Sequence, residues 1–225
     1  MVPLTIRLFG RFEVRYGDQP SDTLNARRAR ELFCYLVLHR NHPHRREKLV
    51  DLLWEDAPHE QARKYLRQAL WQIQTALRPH TESRGAPALA VDTEWIQLNG
   101  CDQLNVDVIR FEDATRSCQG IPGSKLNDVE RQSLEEAVSL YCGDLLEGWC
   151  QDWCLFERER LQNDFLDVLE KLICFFEARC DSERGLAYAR HMLAIDPARE
   201  NVYRHVMRLH LLAGNPTQAL REFQR

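Results

Sequence analysis

One polar face of a helical segment carries the side chains with the most specific chemistry in this sequence. A period of 3.6 residues over 59–78 brings cations, amides and one aromatic residue together. These residues are Arg63, Lys64, Arg67, Gln68, Trp71 and Gln72. Arginine and glutamine can pair in bidentate fashion with guanine and adenine edges in the major groove of DNA. The pattern indicates a DNA-reading helix, although an ordinary amphipathic helix with a solvated polar face has the same composition.

The opposite face of this segment is apolar, as a helix packed on a core requires. Leu66, Leu70, Ile73 and Leu77 follow the i, i+4, i+7, i+11 spacing of one helical face. The segment contains no glycine or proline that would interrupt the helix. We therefore predict one continuous helix that is buried on one side and exposed on the other.

The elements around this helix predict how it is presented. Residues 4–16 alternate as two short strands, 26–40 and 45–54 have helical periodicity, and 88–98 reads as a β-hairpin. Two short helices that present a third, followed by a hairpin, form a winged helix-turn-helix, which we assign to residues 1–100.

Three further residues are candidates for contacts with the DNA backbone. Arg45 and Arg46 precede the second helix and could hold phosphates, although surface arginines are equally common for solubility. Thr93 lies at the predicted tip of the wing, beside Trp95, which could belong either to the contact surface or to the core.

Residues 101–225 predict an all-α domain. Helical patterns cover about 108–118, 128–142, 153–178, 183–195, 199–213 and the stretch from Pro216. The sequence repeats weakly every 34 residues, so that Cys180-Asp181 corresponds to Gly214-Asn215. A helix-turn-helix repeat of this length is typical of tetratricopeptide-like domains. The last repeat reaches Arg225 without a polar capping helix, so we expect further chain or a cap supplied elsewhere.

The charge distribution favours a polyanionic partner for the first half. Residues 1–100 hold 15 Lys and Arg against 12 Asp and Glu, whereas residues 101–225 hold 15 against 22. The excess is largest over residues 24–78, with 11 basic and 6 acidic side chains. A basic module followed by an acidic one predicts that nucleic acid meets the N-terminal domain.

Other function classes find no support in the residue patterns. The eight cysteines form no C-x-x-C pair, so we expect reduced thiols, no structural metal and no cofactor. The loop 119–125 lacks the spacing of a Walker A motif, and no nucleophile–base arrangement indicates an enzyme. The sequence shows neither a signal peptide nor a membrane-spanning stretch, which predicts a cytoplasmic protein.

The order of these motifs resembles the SARP-type bacterial transcriptional activators, which join a winged helix to a bacterial transcriptional activator domain. The resemblance rests on seven stretches: LFGRFEV (8–14), RARELFCYLVLHR (28–40), RREKLVDLLWEDAP (45–58), LRQAL (66–70), LEEAVSLYCGDLLEGW (134–149), DWCLFERERL (152–161) and ARHMLAIDPARENVYRHVMRLHLLAGNPTQALREF (189–223). Together they cover nearly all of the chain.

The resemblance implies an activator that binds direct repeats in promoter DNA, as a dimer on the DNA, and contacts the sigma or alpha subunit of RNA polymerase. Arg63 and Arg67 match basic positions of the family's recognition helix, and Lys64 adds a third cation. Many relatives carry arginines late in this helix, where this chain has Gln72 and Gln74. This difference implies weaker phosphate affinity or a shift towards adenine contacts.

Two further interpretations follow from the resemblance and from the aromatic residues. In similar activators the loop before the recognition helix touches polymerase, so Glu55 and Asp56 are candidate contacts, although a helix cap explains them equally well. We expect Trp149, Trp153 and Phe156 to pack between helices. The alternative function is a tetratricopeptide-like adaptor whose winged helix no longer binds DNA.

Overall fold

A computed structural model describes residues 4–17, 19–21, 24–40, 42–81, 89–99 and 104–224 of the chain. They form two compact units that do not divide the chain at a single point. The first unit combines Met1–Ile109 with Gly143–Glu157, and the second combines Arg110–Cys142 with Arg158–Arg225. The domain boundary predicted between residues 100 and 101, and the predicted chain end at Arg225, lie outside the described residues.

The strands are short and lie in the N-terminal part of the chain. In chain order they are β1 (Leu4–Arg7), β2 (Glu13–Tyr16), β3 (Gln19–Pro20), β4 (His44–Arg45), β5 (Leu89–Val91), β6 (Trp95–Leu98) and β7 (Asn105–Val106). The helices are α1 (Arg27–Leu38), α2 (Arg46–Leu53), α3 (His59–Thr81), α4 (Asp107–Ser117), α5 (Asp128–Leu140), α6 (Asp152–Ala178), α7 (Ser182–Ile195), α8 (Glu200–Leu212) and α9 (Pro216–Phe223).

Helices α1, α2 and α3 pack on one another in the first unit, with α3 as the longest of the three. The four leucine and isoleucine residues that predicted the inner face of α3 are buried, and Ile73 is completely enclosed. Phe33 of α1 and Leu53 of α2 are also buried. The predicted helix and its orientation are therefore confirmed, because burying this apolar stripe leaves the polar face outward.

A small sheet closes the winged helix. Its order is β4-β6-β5, with β5 and β6 forming the predicted hairpin and β4 pairing His44 with Ile96. Residue 88 of that prediction lies outside the described residues. Because β4 leads directly into α2, the start of the second helix is held beside the wing.

A second sheet, of order β3-β2-β1-β7, joins the chain's N-terminus to the start of α4. Strand β7 runs parallel to β1 and was not predicted, because two residues carry no readable periodicity. The next residue, Asp107, is buried, and its carboxylate accepts the backbone N–H groups of Leu8 and Phe9 at 2.9 Å. This single side chain therefore fixes the end of β1 to α4.

The segment Gly143–Glu157 belongs to the first unit through backbone and ring contacts. Gly10 donates its backbone N–H to the carbonyl of Asp144 at 2.8 Å, and Leu146 donates to the carbonyl of Leu8 at 2.8 Å. Trp153 stands edge-on to Tyr35 of α1, with 5.6 Å between ring centroids. The N-terminal unit therefore includes residues that lie well beyond the predicted winged helix.

The aromatic residues of this segment divide into packed and exposed members. Trp149 lies 6.4 Å from Phe12 between ring centroids, and both tryptophans are half-buried. The prediction that Phe156 packs between helices is wrong, because its side chain is 75% exposed. Phe156 follows the buried Cys154 by two residues, which at about 100° per residue turns it to the far side of α6.

The second unit repeats a helix pair, as the 34-residue period predicts. Helix α7 packs on α8, and α8 packs on α9. Cys180 and Gly214, which occupy equivalent repeat positions, both have positive φ, 58° and 73°, directly before the N-terminal residues of α7 and α9. A Cβ on Gly185 would lie 2.7 Å from Leu209, so glycine permits the close crossing of α7 and α8.

Candidate nucleic-acid interface

The polar face of α3 is open to solvent along its length. Arg63, Lys64, Arg67 and Gln68 are exposed, and Gln72 at the edge of the face is half-buried. The Trp71 side chain is 64% exposed, which is unusual for an aromatic residue that serves only a core. Cations, amides and a flat apolar ring on one free helix face form a surface suited to a polyanion with stacked bases.

A cleft of about 870 Å³ lies beside this face and gathers cations from separate elements. Arg46 comes from the start of α2, Arg63 and Arg67 come from α3, and Thr93 comes from the wing. These four residues were predicted separately as DNA contacts, and the fold brings them around one opening. The guanidinium groups give the cleft donors that can bind phosphate oxygens.

An acidic side chain that was not predicted also lines this cleft. Glu47 accepts a hydrogen bond from Nη2 of Arg63 at 2.6 Å and lies 2.8 Å from Nε2 of His59. The bond from Arg63, followed by weaker effects of His59, holds the pKa of the Glu47 carboxyl below its usual range. Glu47 and Arg63 are 16 residues apart in the sequence, so no local spacing signals the pair.

The two arginines before and at the start of α2 hold the wing. The Arg45 guanidinium lies 5.1 Å from the centroid of the Trp95 ring, in cation–π geometry. Arg46 donates from Nη1 to the carbonyl of Asp92 at 3.1 Å, and its backbone N–H donates to Glu94 at 2.9 Å. Trp95 is 36% exposed and so forms part of the surface as the support of Arg45.

The tip of the wing is closed by a local hydrogen bond. The Thr93 hydroxyl donates to Oδ1 of Asp92 at 2.8 Å, and this bond is the main reason why the pKa of Asp92 lies below its usual range. Both residues are exposed. The hydroxyl that was predicted to meet DNA thus faces a carboxylate in the unbound chain.

The turn between α2 and α3 leaves its acidic residues outside the helix. The carbonyl of Pro58 accepts the first helical hydrogen bond, from Ala62 at 2.9 Å, which makes Pro58 the N-cap residue. Glu55 and Asp56 precede it and are exposed. Asp56 therefore does not occupy the cap position, and its carboxylate stands on an accessible turn.

Comparison with known proteins now gives the class. A family model described as the bacterial transcriptional activator domain matches residues 106–225, more than half of the chain. The chain belongs to this family, and it is a transcriptional regulator of the SARP type rather than an enzyme.

A solved structure of Mycobacterium tuberculosis EmbR in complex with a low-affinity phosphopeptide is similar to the whole of this chain, with a TM-score of 0.79 and 18% sequence identity. The chain spans 59% of the length of that EmbR chain. At this identity the likeness concerns the fold, a winged helix followed by helical repeats, and confirms the predicted fold class. No curated protein matches the chain in sequence.

Two structural searches complete the description of the site. Among the residues that the structure describes, no helix combines the length and the apolar character needed to cross a bilayer. Over the same ranges, no three His, Cys, Asp or Glu side chains are grouped so that they could hold a metal ion.

Proposed function

We propose that this regulator binds promoter DNA through the exposed face of α3 and activates transcription by contacting RNA polymerase. The observation that carries the proposal is the free polar face, on which Lys64, Arg67 and Gln68 project into solvent beside the cationic cleft. In a winged helix-turn-helix the corresponding helix enters the major groove and the wing meets the neighbouring backbone.

Each predicted residue receives a distinct role in this proposal. Gln68 and Gln72 read base edges, Trp71 supplies an apolar contact, and Lys64 and Arg67 combine phosphate and base contacts. Arg45, Arg46 and Thr93 approach the backbone from the wing side of the helix. Arg63 joins them when it exchanges the Glu47 carboxylate for a phosphate.

Recruitment of polymerase is assigned to the turn before α3. Glu55 and Asp56 are exposed, carry negative charge and lie outside the cap position, so they can meet a basic surface of the sigma or alpha subunit. We infer that two copies bind adjacent repeats, because a single helix reads only a few base pairs. We also propose residues 1–100 as the DNA-binding domain, supported by the segment Gly143–Glu157.

The proposal is tested by selecting genomic fragments that the whole chain retains, followed by gel shift of the enriched sequence. We expect a salt-dependent shift that the double substitution Lys64→Ala and Arg67→Ala weakens at least tenfold. Arg190→Ala, which removes one exposed cation from the second unit, is the matched control and should leave the shift unchanged. No retention of DNA at low salt would instead support the adaptor.

Recruitment is tested separately by transcription in vitro from the enriched promoter. Glu55→Gln with Asp56→Asn should reduce activation while the gel shift is preserved. Equal activation by this variant and by the unmodified chain would remove the turn from the proposal without affecting DNA binding.

A further inference from the structure

The outward face of α3 is bordered by a groove on each of its long sides. The cationic cleft described above lies on the side of Arg63. A second groove of about 420 Å³ lies on the side of Tyr65, where Gln68 and Gln72 line it together with Arg27 and Arg28 of α1. At about 100° per residue, Arg63 and Tyr65 are 200° apart around the helix, so these are opposite flanks of the same face.

Arg27 and Arg28 are held in place by a buried carboxylate. Glu31 of α1 is only 1% exposed and accepts Nε of Arg27 at 2.9 Å and Nη1 of Arg28 at 2.7 Å. The arginine side chains remain 82% and 48% exposed. Since a guanidinium has five N–H donors, each arginine keeps donors for an external ligand while Glu31 fixes its orientation.

The position of these cations is unfavourable for the helix alone. Arg27 and Arg28 are in the first turn of α1, which contains no acidic residue, and positive charge there opposes the helix dipole. One arginine would neutralise Glu31, and the second leaves the group with a net positive charge. Local preferences that are violated in this way are typical of positions selected for binding.

We propose that Arg27 and Arg28 bind a phosphate of the DNA strand opposite to the one that meets the wing-side cleft, with Glu31 as their positioning residue. This inference rests on the proposed function, in which α3 occupies the major groove. An α-helix with its side chains is about as wide as that groove, so a sugar-phosphate backbone borders it on either side. Each backbone then adjoins one of the two grooves beside α3.

The sequence of the two grooves predicts their different chemistry. The wing-side cleft contains Glu47, which competes with phosphate for Arg63. In the second groove the carboxylate is buried behind the arginines, so it orients them without facing the ligand. Gln151 also donates to Oε1 of Glu31 at 2.9 Å, which stabilises the carboxylate from the protein side.

Ethylation interference on the enriched promoter with the unmodified chain tests the inference directly and needs no variant to fold. We expect ethylated phosphates to block binding on both strands that border the recognised groove. Interference confined to the strand at the wing-side cleft overturns the inference while the proposed function stands. If the chain binds no DNA at all, the proposed function itself fails.

A variant then assigns the second set of phosphates. Arg27→Gln, Arg28→Gln and Glu31→Gln together remove the cations without leaving a buried charge unpaired. We expect loss of interference on one strand and a log Kd against log salt slope smaller by about 0.9 for each phosphate lost. Discrimination between the promoter and a scrambled site should change less than twofold, and Arg190→Ala should match the unmodified chain. An unchanged slope with both strands still protected overturns the assignment.

Discussion

Gln151 donates a hydrogen bond to the buried carboxylate of Glu31 over 2.9 Å, although the two residues are 120 positions apart. Gln151 lies within the region that matches the activator-domain family, whereas Glu31 belongs to the helix that packs against α3. The family domain therefore contributes part of the core that supports the candidate DNA-reading helix. Stability of that unit should depend on residues that a sequence-based division would assign elsewhere.

Leu145 offers the first test of this dependence. Its side chain is fully buried, and its backbone pairs with Phe9 in an isolated bridge. We expect Leu145→Ala to lower the free energy of unfolding by about 2–5 kcal/mol, because the truncation leaves a cavity. Urea denaturation measures the change, with Val129→Ala at a 78% exposed position as the control. Equal stability of the two variants would contradict this account of the segment.

Asp107 should be required for the junction between β1 and α4. Asp107→Ala leaves the backbone donors of Leu8 and Phe9 buried without an acceptor, which costs about 3 kcal/mol. Asp107→Asn keeps one carbonyl oxygen, so we expect about half that loss. Denaturation at pH 7 should rank the unmodified chain above Asn and Asn above Ala; if Ala is as stable as Asn, the hydrogen bonds do not carry the junction.

The same carboxyl predicts a pH effect of known sign. Burial raises the pKa of Asp107 to about 6 against the opposing effect of its hydrogen bonds. The folded chain then binds this proton more tightly than the unfolded chain, so the contribution of Asp107 to stability falls as pH rises from 3.8 to 6. Asp107→Asn should remove this component from the pH dependence of unfolding.

His205 predicts a second pH dependence, in the helical unit. Hydrogen bonds to Cys174 and Glu177 raise its pKa from 6.5 to about 9, although desolvation opposes the shift. Stability from the charged imidazole is therefore complete below pH 6.5 and is lost as pH rises through 9, by about 2–3 kcal/mol. His205→Gln should flatten this part of the curve, whereas parallel curves for both chains would contradict the assignment.

Glu47 should restrain DNA binding. Its carboxylate holds Arg63 in the unbound cleft, and its negative charge faces any incoming phosphate. We expect Glu47→Gln to strengthen binding to promoter and to unrelated DNA by about three- to tenfold at low salt. Glu183→Gln, an exposed change in the second unit, is the control. Weaker binding by Glu47→Gln would mean that the carboxylate positions Arg63 instead.

Local periodicity accounts for what the sequence could predict. The apolar stripe of α3 specified both the helix and its outward face, and the 34-residue period located the paired turns at Cys180 and Gly214. Long-range pairing accounts for what it could not predict. Glu31 with Gln151, Glu47 with Arg63 and the parallel strand β7 all depend on contacts between distant residues, which leave no pattern in a single sequence.

Photo-cross-linking from position 68 tests the central claim most directly. Gln68 is exposed in the middle of α3, and a photoreactive amino acid in its place should cross-link to bases of the enriched promoter, in a reaction that added salt suppresses. The same amino acid in place of Gln132, an exposed residue of α5, should give no cross-link to bases. Binding of promoter DNA without any cross-link from position 68 would contradict the account, because α3 would then not read the groove.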